Sequence, residues 1–328
     1  MPAILWNGQR RQLFLQETVL DGLLRHGVAI PNSCRAGVCQ SCLLRASSGP
    51  VPPAAQAGLK PTLIEQGCFL ACVCIPVEDL EVEAPGNGLR LAARLVETSR
   101  LSDTVLRVLL ESAQPLDHRA GQYLTLFRPD GLGRSYSIAS LPPEQTTQQT
   151  TEQTTKRTLE LHVRLIPNGQ MSTWLATIAQ PGALLTIQGP AGNCFYTAGA
   201  IDQPLLLVGT GTGLAPLYGI LRDALNQGHK GPIRLYHGAL NEAGLYLVPE
   251  LEALANQHAH FEYRPTLLHT HGPLPDCVLS DHPKLNGWRG FVCGDPQIVT
   301  QLKKRLFLAG MASREIHSDA FVTAAPAR

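Results

Sequence analysis

The sequence predicts a multidomain protein, α+β and α/β, built from three successive units. At 328 residues the chain exceeds the ~250 to 300 residues at which a single hydrophobic core stops growing. Three patterns separate the units: a cysteine-rich loop near the N-terminus, short alternating strands in the middle, and buried strands that alternate with helices in the last third. The middle pattern predicts a small antiparallel barrel, and the last predicts a parallel sheet with crossover helices.

The composition is that of a soluble globular protein. Apolar residues make up 44% of the chain and charged residues 16%, and a formal net charge of +1 gives no excess that favours nucleic acid. No stretch approaches the ~20 apolar residues of a membrane span, and the N-terminus lacks the apolar core of a secretory signal. We therefore expect a cytoplasmic protein with no nucleic-acid partner. In that reducing compartment, nine cysteines favour metal or redox ligands over disulfides.

The first predicted elements are a hairpin and a short helix. Asn7-Gly8 is a typical two-residue turn, and the segments on either side of it, PAILW and RRQLFLQ, are predicted strands. Thr18 and Asp21 predict the start of a helix over TVLDGLLRH, and Gly27 predicts its end. Two strands and a helix therefore precede the cysteine loop.

Cys34, Cys39 and Cys42 form a C-x4-C-x2-C pattern, with Cys72 the next candidate further along the chain. This spacing matches the plant-type pattern that binds a [2Fe–2S] cluster. A zinc site more usually has C-x2-C pairs on both sides of the gap, or histidines at metal spacing. A thioredoxin-like redox pair would place Cys39 and Cys42 at the start of a helix after a buried strand, which the flanking loop does not favour. The spacing therefore favours the cluster.

The fourth cysteine of this pattern has three candidates. The segment CFLACVC offers Cys68, Cys72 and Cys74, of which the spacing favours Cys72. The other two fit the alternative of small buried residues. Ala36 and Gly37 are small enough to let the loop wrap around a cluster and to turn backbone N–H groups toward its sulfides.

The middle unit begins after a predicted linker, marked by Pro and Gly residues at positions 85–88. The segments TVLRVLL, QYLTLF and LELHVRLI are its predicted barrel strands. Between two of them, EQTTQQTTEQTT at residues 144–155 repeats a four-residue unit without one apolar residue, so we interpret it as an expanded, mobile hairpin loop. A loop that docks a partner is the alternative interpretation.

Two motifs of the middle unit together indicate a flavin dinucleotide. RSYSIAS, at 134–140, puts an arginine, an aromatic ring and a hydroxyl on one strand, where they can pair with a phosphate, stack on a planar ring and hydrogen-bond its edge. NGQMSTWL, at 168–175, places Gly-x-x-Ser at a predicted helix start, whose backbone N–H groups can bind a pyrophosphate. Each motif alone is weak, because a tetrapeptide like the first is usually an ordinary strand.

The last unit opens with LLLVGTGTGLAPL, which predicts a buried strand, a glycine turn and a helix that starts near Pro216. Gly209, Gly211 and Gly213 allow a diphosphate to approach the backbone closely, in a G-x-G-x-x-P pattern. Further strands are predicted over RLYHGAL and RGFVCGDP. Cys293 ends the second of these at the ligand-binding edge of the sheet, which favours a position against the nicotinamide over a role as a small buried residue.

These motifs, in this order, resemble the ferredoxin-NADP reductase superfamily with an N-terminal plant-type [2Fe–2S] ferredoxin domain. Such chains include the reductase components of aromatic-ring dioxygenases, phenol hydroxylase and soluble methane monooxygenase, and CDP-6-deoxy-glucoseen reductase. The resemblance covers nearly the whole chain. It implies a β-grasp ferredoxin domain over residues 1–86, an antiparallel β-barrel FAD-binding domain over residues 89–200 and a parallel-sheet α/β NAD(P)H-binding domain over residues 201–328.

The resemblance also implies roles for individual residues. Arg134 is expected on the flavin pyrophosphate and Tyr136 stacked on the isoalloxazine. Ser137 and Cys293 are the predicted catalytic residues, Ser137 as a positioning residue and not as an acid or base, and Phe321 is expected close to the flavin. The other implied positions contact the flavin phosphates (Gly169, Met171, Ser172), the pyridine nucleotide (Gly209, Thr210, Gly211, Thr212, Gly213, Pro216, Cys293, Gly294) and the cluster (Cys34, Cys39, Cys42, Cys72).

One position departs from the pattern of the family. Asp295 stands where many relatives have a second proline or a small residue, which affects the fine contacts of that loop and not the identity of the domain.

The order of the domains predicts an electron relay. A nicotinamide gives up two electrons together as hydride, whereas a [2Fe–2S] cluster accepts one at a time, so a flavin must stand between them. We expect an NAD(P)H-dependent oxidoreductase that passes electrons through FAD and the cluster to a partner protein, first of all a terminal oxygenase component. A deoxysugar dehydratase component is the alternative partner. A non-enzymatic zinc-binding module, which would be colourless, is the third candidate.

The segment after the second nucleotide-domain strand predicts the choice of cofactor. NADP-binding proteins usually carry a basic residue there for the 2′-phosphate, and residues 235–263 contain no Lys or Arg. We therefore predict NADH over NADPH, with His237 as a weak substitute for the missing basic residue.

Overall fold

The computed structural model of the protein describes residues 2–32, 34–59, 61–84, 90–142 and 158–322. The predicted linker at 85–88 and the predicted repeat loop at 144–155 lie outside these residues. Within the described part of the chain, the strands form three sheets that follow one another along the sequence. No helix in these ranges is long and apolar enough to cross a membrane.

The first sheet has the β-grasp arrangement. Its strand order is β2-β1-β5-β3-β4, with β1 and β5 parallel and the other neighbours antiparallel. The elements are β1 (Ala3–Trp6), β2 (Gln9–Gln12), α1 (Val19–Arg25), β3 (Leu43–Ser48), α2 (Pro61–Glu65), β4 (Cys68–Leu70) and β5 (Leu80–Glu83).

The local signals at the start of this domain act as predicted. Asn7 and Gly8 both have positive φ, as the turn of a tight hairpin requires. The hydroxyl of Thr18 caps α1 by accepting a hydrogen bond from the N–H of Asp21. Leu20 of this helix is fully buried in the core of the domain. The hairpin and the helix thereby hold the cysteine loop, which runs between α1 and β3.

The second sheet is an antiparallel barrel with strand order β10-β7-β6-β11-β8-β9. A bridge between Ile138 and Leu161 joins its two ends and closes it. The elements are β6 (Arg90–Ser102), β7 (Val105–Ser112), β8 (Tyr123–Phe127), β9 (Gly133–Ser137), β10 (Thr158–Arg164), α3 (Gln170–Thr177) and β11 (Leu184–Ala191).

The third sheet is parallel throughout, with strand order β14-β13-β12-β15-β16. The order reverses between β12 and β15, and such a switch point is where open α/β sheets bind their ligands. The elements are β12 (Leu205–Thr210), α4 (Leu214–Asn226), β13 (Ile233–Ala239), α5 (Val248–Gln257), β14 (Phe261–Leu267), α6 (Leu268–His271), α7 (Leu274–Asp281), β15 (Arg289–Gly294), α8 (Pro296–Leu308) and β16 (Ile316–Ala320).

Candidate functional site

The four cysteines favoured by the spacing lie in two pairs. Cys34 and Cys39 form one pair, in which the backbone N–H of each residue donates to the Sγ of the other at 3.4 Å. Cys42 and Cys72 form the other pair, with a hydrogen bond between their side chains. All four residues are buried. The fold therefore brings together residues that lie far apart in the sequence.

Each pair favours one thiolate. The hydrogen bond from Cys34 lowers the pKa of Cys39 to about 5 against the opposing effect of burial, and the hydroxyl of Ser41, 2.9 Å from the Cys39 sulfur, acts in the same direction. In the other pair, the hydrogen bond from Cys42 lowers the pKa of Cys72. Because metals bind the deprotonated thiolate, this preference suits a metal-binding loop.

The backbone of the loop directs its N–H groups at the sulfurs. The N–H of Ala36 donates to Cys34 Sγ at 3.4 Å, and the N–H of Gly37 donates to the sulfur of Cys72. The chain reaches this arrangement through left-handed backbone at Arg35 and Gly37, with φ of 54° and 74°. Such N–H groups stabilise negative charge on the sulfurs.

The pairing distinguishes an iron–sulfur cluster from zinc. A structural zinc needs four ligands that converge on one ion, whereas a [2Fe–2S] cluster spreads four cysteines over two irons. In the ranges that the structure describes, no group of three or more His, Cys, Asp or Glu side chains is placed to hold a metal ion. Two separate thiol pairs, one for each iron, fit the cluster better than zinc.

Cys68 and Cys74 have the environment of packing residues. Both are buried in the core of the first domain, at 1% and 0% exposure. Burial raises the pKa of both thiols, that of Cys74 to about 12. A buried thiol of this kind behaves as a small apolar side chain. The assignment of Cys72 as the fourth ligand remains a prediction.

The predicted flavin residues lie on β9. The guanidinium of Arg134 donates to the carbonyl of Gly133 at 2.7 Å. Tyr136 packs against the barrel core, and burial raises the pKa of its hydroxyl. The hydroxyl of Ser137 donates to Oδ2 of Asp319 at 3.3 Å. This last contact crosses from the barrel to the nucleotide domain.

Asp319 belongs to this site and was missed in the sequence. It lies on β16 opposite Cys293 of β15. Burial raises the pKa of its carboxyl to about 6, although the hydrogen bond from Ser137 acts in the opposite direction. A partly buried acid with a raised pKa is a candidate functional group. The one feature of the sequence that could have indicated Asp319 is its position two residues before Phe321, which was expected near the flavin.

The second flavin motif forms the start of α3. Gly169 is the N-cap residue, and Met171 packs its side chain into the barrel core. The hydroxyl of Ser172 accepts a hydrogen bond from the N–H of Ile166 at 3.2 Å, which closes the preceding loop. The side chains of Met171 and Ser172 therefore make contacts within the protein itself. We expect this motif to meet a phosphate through the backbone N–H groups of the first helical turn.

Gly213 and Gly294 allow the two nucleotide loops to pack closely together at the switch point. Gly209 at the end of β12 pairs with Cys293 of β15. A Cβ on Gly213 would lie 2.3 Å from the carbonyl oxygen of Cys293. Gly294 has a φ of 121°, and a Cβ there would lie 2.4 Å from Thr210 Oγ1. Larger residues would push the two loops apart, so this edge requires glycine.

The rest of the predicted nucleotide loop continues into α4. Gly211 and Thr212 form the turn, and Pro216 lies in the first turn of the helix, which begins two residues earlier at Leu214. The backbone N–H of Phe321 donates to the carbonyl of Gly294 at 2.8 Å, so the C-terminal strand brings Phe321 to the same edge.

Cys293 has a neighbour that the sequence did not indicate. Its Sγ lies 3.5 Å from the Sγ of Cys194, which belongs to the segment after the last barrel strand. Both residues are buried, at 1% and 2% exposure. Burial raises the pKa of Cys293 far above its ordinary value, so this thiol stays protonated.

Two further residues receive an explanation from the structure. Asp295, the departure from the family pattern, is the N-cap of α8 and accepts hydrogen bonds from the N–H groups of Gln297 and Ile298. His237 is fully buried, and burial lowers its pKa to about 4. A neutral, enclosed imidazole cannot bind a 2′-phosphate, so the interpretation of His237 as a weak basic substitute is wrong.

Fold and site together define the class: an oxidoreductase with a cysteine-bound cluster, a flavin barrel and a nicotinamide domain. Three sequence families match the chain in that order. Residues 4–77 match the 2Fe-2S iron-sulfur cluster binding domain, residues 92–196 the oxidoreductase FAD-binding domain, and residues 207–304 the oxidoreductase NAD-binding domain. The cofactors of the protein are FAD, a [2Fe–2S] cluster and a nicotinamide dinucleotide.

Full-length relatives agree. The chain is 33% identical to the reductase subunit of an aromatic O-demethylase from Amycolatopsis sp., over 98% of this chain and 99% of the relative. It is 30% identical to the ferredoxin–NAD(P)+ reductase component of the naphthalene 1,2-dioxygenase/salicylate 5-hydroxylase systems of Ralstonia sp., over 93% of each chain. The crystal structure of an Amycolatopsis cytochrome P450 reductase matches with a TM-score of 0.66 and 32% identity, over 98% of this chain and 99% of that one.

The chain belongs to the ferredoxin-NADP reductase superfamily, in the branch that carries an N-terminal plant-type [2Fe–2S] ferredoxin domain. It is an NAD(P)H-dependent flavin and iron–sulfur oxidoreductase.

Proposed function

We propose that this protein is the reductase component of an oxygenase system and carries electrons from NADH to an oxygenase that acts on an aromatic compound. The observation that carries the proposal is the hairpin of β8 and β9. Thr125 of β8 donates to the carbonyl of Cys39 in the cysteine loop at 3.0 Å. Ser135 of β9 pairs with Thr125 in the strand register and belongs to the flavin motif. Two residues further along this motif, the hydroxyl of Ser137 donates to Asp319.

The arrangement assigns distinct roles to the chain's own residues. When bound, FAD takes up hydride from the nicotinamide and gives electrons up singly to the [2Fe–2S] cluster. Gly213 and Gly294 keep the two nucleotide loops packed together at the switch point, and Cys293 and Ser137 position the reacting rings. Asp319 holds a proton at its carboxyl up to a pH of about 6. The cysteine loop adjoins this site through hydrogen bonds from the barrel strands β8 and β11.

The names of the relatives support an oxygenase as the partner. They describe an aromatic O-demethylase, a naphthalene dioxygenase and a xylene/toluene monooxygenase, all of which act on aromatic compounds. None of these three names mentions a deoxysugar dehydratase. None of the nine cysteines forms a disulfide, which supports a reducing, cytoplasmic location as part of the proposal.

NADH is the proposed electron donor, on the basis of a cavity of about 340 Å³ beside the carboxyl ends of β13 and β14. Glu242 lines this cavity, and an acidic residue in this place of a dinucleotide fold typically binds the ribose 2′-hydroxyl of NAD and repels a 2′-phosphate. Arg264, which follows the segment without basic residues, is already paired with Glu262 and Asp281.

Steady-state kinetics with both nucleotides test this preference. We expect a higher kcat/KM with NADH, and we expect Glu242→Gln to raise kcat/KM with NADPH because the charge repulsion is gone. Glu250→Gln, at an exposed acid on α5, is the matched control and should leave the ratio unchanged. A wild-type preference for NADPH would contradict the proposal.

The relay itself is tested on freshly purified protein under anaerobic conditions. The visible spectrum should show both flavin and cluster, and NADH should bleach both. Adding the purified oxygenase component of an aromatic-compound oxygenase system should then reoxidise the protein. A colourless protein with bound zinc, or a protein whose electrons reach small dyes but no oxygenase, would refute the proposal.

A further inference from the structure

We propose that the flavin barrel holds the cysteine loop by its peptide carbonyls and in this way sets the reduction potential of the cluster. The proposal deepens the function proposed above and rests on it. Three successive carbonyls of the loop, those of Val38, Cys39 and Gln40, accept hydrogen bonds from barrel side chains. The donors are Tyr123 Oη at 2.7 Å, Thr125 Oγ1 at 3.0 Å and Gln188 Nε2 at 3.1 Å, in that order.

Two of these bonds lead directly to the cluster sulfurs. The carbonyl of Val38 and the N–H of Cys39 belong to one peptide group, and that N–H donates to Cys34 Sγ at 3.4 Å. The carbonyl of Gln40 and the N–H of Ser41 belong to another, and that N–H donates to the sulfur of Cys39. Each peptide group is therefore bound by the barrel through its oxygen and by a cysteine sulfur through its N–H.

Peptide geometry makes these paired contacts dependent on each other. In a planar trans peptide, the C=O and the N–H point in opposite directions. A donor that holds the oxygen therefore also holds the N–H on the sulfur, and the two hydrogen bonds polarise and strengthen each other. Hydrogen bonds to the sulfurs stabilise the reduced, more negative cluster and raise its potential. The barrel thus acts on the cluster through the loop backbone.

Among the described residues, the buried apolar cores of the two domains do not merge at the junction. The buried apolar residues that form the core of the first domain lie within residues 4–82, and the barrel core is a separate set of residues. Between them lies a cavity of about 230 Å³, which Cys39 and Gln40 border on one side and Tyr123 and Gln188 on the other. Hydrogen bonds connect the loop to the barrel beside this cavity. Burial raises the pKa of Tyr123, so its hydroxyl remains a donor.

Tyr123→Phe and Gln188→Met, made separately, test the proposal, because each removes a donor and keeps a side chain of similar size. Three quantities are measured on the holoprotein: the midpoint potential of the cluster in a redox titration, hydrogen exchange in the peptide that spans residues 34–42, and the ratio of the cluster reduction rate to the flavin reduction rate after mixing with NADH. Tyr196→Phe is the matched control, since its hydroxyl pairs with His229 in the nucleotide domain.

Both variants should shift the cluster potential to more negative values, speed up exchange in the loop several-fold and lower the rate ratio, while the control should do none of these. Wild-type potential and wild-type exchange in both variants would overturn the proposal and leave these bonds as ordinary surface contacts. Failure of the proposed function gives a different result, because the wild-type protein would then pass no electrons to an oxygenase component, while its cluster potential could still be measured and compared with those of the variants.

Discussion

The barrel meets its two neighbouring domains in different ways. Toward the nucleotide domain it shares one buried core, in which Val105, Cys194 and Tyr196 pack with the residues of β12, α4 and β13. A buried hydrogen bond between His162 Nδ1 and the hydroxyl of Tyr246, at 3.2 Å, crosses the same boundary. Toward the ferredoxin domain, the described contacts include side-chain hydrogen bonds to backbone carbonyls beside a cavity.

These two kinds of interface give the two halves of the relay different physical properties. Apolar burial is strong and non-directional, so the shared core makes the hydride-transfer half one packed body. Hydrogen bonds contribute less net stability but fix direction, so they orient the cysteine loop without merging the two cores. The flavin and nucleotide domains should therefore still transfer hydride when the cluster is lost. The properties of the cluster, in contrast, should change when its contacts with the barrel are removed.

The largest effect that separates the two halves is expected from Cys72→Ala. This change removes one of the thiols of the Cys42 pair, so the cluster spectrum should disappear. The flavin is bound by another domain and should remain, with NADH still reducing it and ferricyanide still accepting its electrons. Delivery to the partner protein should be lost.

Cys74→Ala is the matched control for that change, since this thiol is buried in the core of the same domain. It should keep the cluster and the relay. A Cys74→Ala variant without a cluster, beside a Cys72→Ala variant that retains one, would show that the fourth ligand is assigned to the wrong cysteine.

Cys293→Ala tests the hydride half alone. The thiol lies at the nucleotide edge of the sheet, and lost positioning at a reacting centre slows the chemical step far more than it weakens ground-state binding. We expect retained flavin and cluster, nearly unchanged NADH binding, and flavin reduction slower by roughly one to two orders of magnitude. Anaerobic stopped-flow spectroscopy beside a thermal melt gives the answer. A normal rate in a less stable variant would leave Cys293 as a packing residue.

Asp319→Asn should change how stability depends on pH. The folded-state pKa of this carboxyl is raised from 3.8 to about 6, so between these values the folded protein binds more protons than the unfolded chain. The wild-type stability contributed by this group is present below pH 4 and is lost as pH rises through about 6. The asparagine variant lacks this loss and should gain stability relative to wild type across that window.

Thermal melts at several pH values measure the difference, with Asp117→Asn at an exposed aspartate as the control. A constant difference between Asp319→Asn and wild type at all pH values would mean that the carboxyl has an ordinary pKa in the folded protein.

The smallest effect is expected from Asp295→Ala, which removes the cap of α8. Loss of an N-cap side chain typically costs about 1 kcal/mol, and the free energy of unfolding should fall by this amount. Electron transfer should be unchanged, because the loop contact to Thr210 is made by the backbone N–H of Asp295. Denaturant unfolding measures the loss, and Asp295→Asn should restore most of it. Full stability in the alanine variant would argue against the capping role.

The sequence predicted what local chemistry determines. The Asn7-Gly8 turn and the Thr18 cap depend on residues within a few positions of each other, and the structure confirms both. The fold class and the cofactors followed from motifs of a few residues each. The sequence did not reveal pairs that only the docking of domains creates. Ser137 and Asp319 lie 182 positions apart, and no local pattern links them.

The β8–β9 hairpin has a consequence for how the protein fails. A slip of one residue in strand register turns every side chain to the opposite face of the sheet. Such a slip would turn Thr125 away from the cysteine loop and displace Ser137 from Asp319 in the same event. A molecule misfolded in this way would thus lose both the contact with the cysteine loop and the contact with the nucleotide domain.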